Sequence, residues 1–197
     1  PFEPRSASAF EALKGRFYAL QDWLFGSLIY PLISREEWGA RAPKGEMSAQ
    51  SPHFIVLHHT GVPGHLTGDE AKARATVRSI QRNHMYEMEA EGRGSNAMDV
   101  GYHFIISAGG TIYEGRWPLI QGAHAKAGNH ASIGVAVMGE FTSQQPTPEQ
   151  IAALRRLLAF LVREYGMETR DGRFLVGHEH FSSGRNCPGE NVGDPLP

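Results

Sequence analysis

Short apolar runs and amphipathic stretches take turns along this chain, and that alternation constrains its fold more than any other feature. The clearest run, His53-Phe54-Ile55-Val56-Leu57-His58-His59, reads as a buried strand, bounded upstream by the Gly-, Ser- and Pro-bearing stretch Lys44–Pro52. Residues Asp69–Met88 predict a helix, with Ala73, Val77, Ile80 and Met88 broadly on one side, followed by a polar loop over Glu89–Met98. Gly101–Ser107 and Thr111–Arg116 predict two strands joined at Ala108-Gly109-Gly110, a hairpin signal. Ser132–Met138 reads as another strand. A helix then opens at Thr147, where Pro148 takes the first helical position and Gln150 completes a capping box. Its apolar stripe is Ile151, Leu154, Leu157, Leu158, Leu161 and Tyr165, and Phe174–Val176 is a last short strand leading to Gly177-His178. Interleaving of this kind predicts the α/β class, a single domain whose central mixed sheet is flanked by helices.

Size and charge narrow the choice further. A chain of 197 residues suits one domain with a modest appendage, and at that size folding buries roughly 70% of the surface the unfolded chain exposes. Apolar residues at 41% and charged residues at 20% exclude disorder. With 19 Lys plus Arg against 21 Asp plus Glu, the net charge of -2 gives no support for bulk-charge binding to nucleic acid or an anionic membrane. The single Cys excludes an internal disulfide. The start at Pro1 suggests a trimmed product, with no signal peptide in view. The apolar stretch Phe17–Ile33 is interrupted by Gln21, Asp22 and Pro31, so it is too broken for a membrane span. Phe10, Leu13, Phe17, Leu20 and Leu24 instead predict an amphipathic helix over Ala9–Gly26. Residues 1–33 are therefore expected to form a helical extension packed on a main domain over 34–197.

The chemistry is expected among the ten histidines. Leu57-His58-His59-Thr60 and Gly177-His178-Glu179-His180 both close apolar strands, and Cys187-Pro188-Gly189 forms a turn soon afterwards. Strand ends hold side chains rigidly at one rim of a sheet. Imidazole and thiolate are ligands that Zn²⁺ prefers, and three protein ligands plus a water describe a catalytic site. Side chains alternate along a strand, so only one of His58 and His59 can readily join a metal. His178 and His180 would share a face if extended, which leaves both open. A Cys–His nucleophile is a rival reading of the same thiol, although no helix N-terminus precedes Cys187 to activate it. Most of the other histidines, among them His53, His65 and His130, read as surface or supporting residues.

Seven blocks occur in order: Ser34–Arg41 (SREEWGAR), Ile55–Thr60 (IVLHHT), Asp99–Ile106 (DVGYHFII), Gly110–Arg116 (GTIYEGR), Gly122–Phe141 (GAHAKAGNHASIGVAVMGEF), Pro146–Leu154 (PTPEQIAAL) and Gly177–Gly189 (GHEHFSSGRNCPG). Together they resemble the zinc amidase and peptidoglycan recognition protein family, which includes phage lysozyme-type amidases, over about Ser34 to Val192. The resemblance implies hydrolysis of the amide between N-acetylmuramic acid and L-alanine in peptidoglycan. It implies a zinc ion held by His58, His178 and Cys187, with Tyr102 orienting or deprotonating the attacking water. The oxyanion-stabilising position, usually Lys or Thr, is Arg185 here, and the interval from His178 to Cys187 is a residue longer than the commoner spacing. Arg116, His124 and Asn129 lie in blocks that line the substrate groove. Family members that only bind peptidoglycan typically lack the Cys ligand, so its presence points to a catalytic member, with a non-catalytic recognition module as the alternative. The lone Cys also departs from the disulfide common in vertebrate and insect members, which favours a bacterial or phage source. The expected place of action is extracellular or periplasmic, facing the cell wall, or in phage-driven lysis.

Overall fold

The computed structural model describes residues 32–87, 97–167, 174–182, 184 and 186–192. Its centre is a six-stranded mixed sheet. The strands are β1 (Leu32–Ile33), β2 (Phe54–His59), β3 (Phe104–Ile106), β4 (Ile112–Glu114), β5 (Ser132–Val137) and β6 (Leu175–Gly177), ordered β1-β4-β3-β5-β2-β6. β3 and β4 are antiparallel and every other pairing is parallel. Parallel strands buried on both faces read as continuous apolar runs, which is why β2 and β5 lack polar alternation. Among the described residues the α-helices are α1 (Arg35–Trp38), α2 (Glu70–Arg82) and α3 (Pro148–Tyr165).

Each face of the sheet has its own cover. Ile55, Leu57, Ile133, Val135 and Val137 pack with Leu154, Leu157, Leu158 and Leu161 of α3. On the opposite face Ile105, Tyr113, Ala136 and Met138 pack with Trp38, Ala73, Val77 and Ile80. The expected box on α3 is present: Thr147 Oγ1 accepts from Gln150 N at 3.1 Å, and Gln150 Oε1 accepts from Thr147 N at 3.0 Å. Gly166, with φ of 55°, closes that helix in the left-handed conformation that glycine adopts without strain. A second box, Ser34 with Glu37, starts α1 and delivers fully buried Trp38, whose Nε1 donates to Glu114 O at 2.7 Å.

Several elements differ from the sequence reading. The sheet takes in Leu32 and Ile33 as β1, two residues ahead of the boundary set at Ser34, and the helix expected over Ala9–Gly26 lies outside the described residues. The helix expected over Asp69–Met88 is regular only to Arg82. Asp69 caps it by accepting from Ala71 N and Lys72 N, and it then widens into a π-turn over Asn83–Glu87. Met88 lies outside the described residues. The hairpin forms, but its ladder is shorter than expected. Beyond it, Gly115 N donates to His103 O and Arg116 N to Tyr102 O, as the chain bends toward the cleft described below. The last strand sits one residue later than expected, over Leu175–Gly177. No helix among the described residues is long and apolar enough to cross a membrane.

Candidate metal centre

Strand register makes this site. β2 and β6 run parallel with Leu57 opposite Gly177, so the residues that follow, His58 and His178, leave the sheet side by side at its carboxyl rim. That rim is where open α/β sheets bind ligands. The two imidazole centroids lie 4.6 Å apart. After Gly177 the chain turns into a 3₁₀ segment, His178–Phe181, instead of staying extended. His178 consequently joins His58, whereas His180 is exposed and meets Phe181 edge-on. Glu179 N then donates to Cys187 O at 2.9 Å and holds the Cys187 turn against this segment. One ligand atom each from His58, His178 and Cys187 all lie within 4.8 Å of one another.

These donors suit a metal ion. Cys187 Sγ is 3.9 Å from His58 Nδ1. With bonds of about 2.3 Å to sulfur and about 2.0 Å to nitrogen, a tetrahedral Zn²⁺ would separate two such atoms by about 3.5 Å. Burial, and then the neighbouring His178, push the pKa of His58 well below its ordinary value. The ring is therefore neutral, the state a metal requires. His59 turns to the other face, where Nδ1 accepts from Phe141 N at 3.1 Å. Tyr102 stands beside the cluster, its ring centroid 5.1 Å from that of His58. A hollow of about 250 Å³ is walled by His58, His178, Cys187, Tyr102, Thr60 and Asn186. It adjoins a cleft of about 860 Å³, and Thr60, Tyr102 and His178 contribute to the walls of both.

The three residues expected to contact substrate, Arg116, His124 and Asn129, all line the cleft and are also bonded to the protein. Arg116 borders the cleft but is buried, and it donates to the carbonyls of Val100 (2.6 Å), Gln121 (2.7 Å) and Asp99 (3.2 Å). Asn129 Oδ1 accepts from both His124 N and Ala125 N at 2.7 Å. His124 points its Nδ1 at His58 Nε2, 3.0 Å away. Arg185 lies outside the described residues. His53 and His130 are exposed, and half-buried His65 lies on the cleft wall. Sequence reasoning did not single out His84. It sits in the π-turn, accepts from Gly101 N at 2.8 Å and places its ring 5.2 Å from that of Tyr102, on the cleft wall. Its only signal in the sequence was a histidine at the end of a helical pattern.

Fold and site together define an α/β domain with an open ligand cleft and a His-His-Cys cluster, able to hold a metal ion, at its edge. The chain belongs to the N-acetylmuramoyl-L-alanine amidase family, whose model matches residues 48–190. It is 33% identical over 166 residues to peptidoglycan-recognition protein SC2 of Drosophila melanogaster, covering 84% of each chain. It is also 33% identical over 165 residues to human N-acetylmuramoyl-L-alanine amidase, a match of 82% of this chain but 27% of that protein. Among solved structures it resembles the ectodomain complex of peptidoglycan recognition proteins LCa and LCx bound to tracheal cytotoxin. That similarity has a TM-score of 0.71 and 30% identity, covering 81% of this chain and 90% of the other.

Proposed function

We propose that this protein is a zinc-dependent N-acetylmuramoyl-L-alanine amidase that hydrolyses the amide joining the glycan to the peptide stem of peptidoglycan. The observation that carries the reading is the convergence of His58, His178 and Cys187 beside Tyr102, where a small hollow meets a large cleft. His58, His178 and Cys187 would hold the ion. Bound there, zinc supplies Lewis acidity, lowering the pKa of a water from about 15.7 towards 7 and polarising the scissile carbonyl. Tyr102 orients the attacking water and takes part in its proton transfer. The cleft, within the range of about 300–1,000 Å³ typical of ligand sites, takes the glycan and peptide on either side of the bond. Arg185 is assigned to the developing oxyanion; arginine keeps the positive charge at that position and adds a planar fork of donors.

Cys187→Ser provides the test. It should lose bound zinc and the release of new amino termini from peptidoglycan together, with the circular dichroism spectrum of the parent retained. A zinc-free variant as active as the parent would overturn the metal assignment, and parent activity that resists chelation but not thiol alkylation would favour a cysteine nucleophile. Similarity to recognition proteins supports a second reading, a non-catalytic peptidoglycan-binding module. Zinc-supplemented protein that binds cell walls and cleaves no amide would establish it.

A further inference from the structure

His124, expected to contact the substrate, lines the cleft, and its ring also reaches the metal ligand His58. We propose that His124 is a positioning residue for the metal ligand His58: it accepts the Nε2 proton of His58 and so commits Nδ1 of that ring to the metal. The inference rests on the metal reading of the preceding section.

The direction of the hydrogen bonds follows from the far end of the chain of contacts. Ser132 is fully buried at the start of β5, and its hydroxyl donates to Gly128 O. With its proton given to that carbonyl, Ser132 Oγ faces His124 Nε2, 3.5 Å away, as an acceptor. His124 therefore carries its proton on Nε2 and presents a bare Nδ1. That nitrogen lies 3.0 Å from His58 Nε2, which must then be the donor. A neutral imidazole has one N–H, so His58 Nδ1 is left with its lone pair, and Nδ1 is the atom that faces Cys187 Sγ at 3.9 Å. The opposite polarity would put a proton on Nδ1, between the ring and the position of the ion. Partners of this kind on the second nitrogen of a ligating histidine set its tautomer and orientation.

The protein also makes room for this arrangement. A Cβ at Gly134 would lie 2.5 Å from the His124 ring, and one at Gly122 would lie 2.4 Å from it, so two glycines leave the space this imidazole fills. Asn129 holds the backbone at the root of the side chain through His124 N and Ala125 N. On β5, Gly134 pairs with Val56 and Ala136 pairs with His58, so the strand that cradles His124 is the neighbour of the one that carries the ligand.

The test measures zinc affinity by competition with a chromophoric chelator, and ring tautomers by ¹⁵N NMR of zinc-loaded protein. His124→Leu should weaken zinc binding by about 10–100-fold, the usual cost of losing such a partner. His124→Asn, whose side-chain oxygen can accept at the place of Nδ1, should recover most of that loss, a rescue that a space-filling role does not predict. In the parent, His58 should be protonated at Nε2 and bound through Nδ1. Unchanged affinity in folded His124→Leu, or His58 bound through Nε2, would overturn the inference while leaving the metal site standing. The NMR measurement on the parent decides the matter if the leucine variant does not fold. A parent that binds no zinc would sink the metal reading itself, and this inference with it.

Discussion

His103 gives the fold a built-in sensitivity to acid that can be worked out from its surroundings. The ring is fully buried; Nδ1 accepts from Gly134 N at 2.8 Å, and Nε2 lies 2.9 Å from Ile120 O, to which it therefore donates. Burial lowers its pKa from 6.5 to about 4, and the nearby Arg116 charge also lowers it, against the opposing pull of the Ile120 carbonyl. A second proton would have to enter at Nδ1, facing the Gly134 N–H. Because the folded pKa lies below the unfolded one, the unfolded chain binds more protons between the two values, and stability falls as the pH drops from about 6.5 through about 4. The full shift corresponds to about 3 kcal/mol, of which about 2 kcal/mol is already lost at pH 5. Urea unfolding of the chelator-treated parent and of His103→Asn, at about pH 7.5 and pH 5, isolates this one group from the other histidines. The variant should be the less stable at the higher pH, since Ile120 loses its donor, and the gap should close by about 2 kcal/mol at the lower pH. A gap that moves by less than about 0.5 kcal/mol, near the resolution of linear extrapolation, would refute the reasoning.

Two further substitutions test separate parts of the structure. Tyr102→Phe should keep zinc bound while slowing amide hydrolysis by about 10²-fold or more, the scale of a lost proton-transfer partner; turnover equal to the parent removes Tyr102 from the chemistry. Thr147→Ala removes the cap of α3 and the bond from Thr147 Oγ1 to Ala108 O at 2.6 Å. It should cost about 1–2 kcal/mol, seen as a Tm lower by several degrees, and an unchanged melt would show that the box contributes nothing.

Features encoded within a few neighbouring residues were legible before folding. The Thr147–Gln150 box, the apolar stripe of α3 and the buried run Ile55–Leu57 depend on local spacing, and they sufficed for the α/β class and for strand ends bearing histidines. Periodicity could not choose between His178 and His180, because the choice rests on a 3₁₀ turn where an extended strand would also satisfy the pattern. Nor could it reveal that His84 joins the cleft, that His124 reaches His58 or that Arg116 bonds the carbonyls of Asp99 and Val100, since those partners come from other segments of the chain. The meeting of His58 with His178 depends on β2 and β6 aligning Leu57 with Gly177. Cys187 is held there by a backbone bond to Glu179. The strand pairing joins segments far apart in the chain, and only tertiary packing chooses among the registers that local pattern allows.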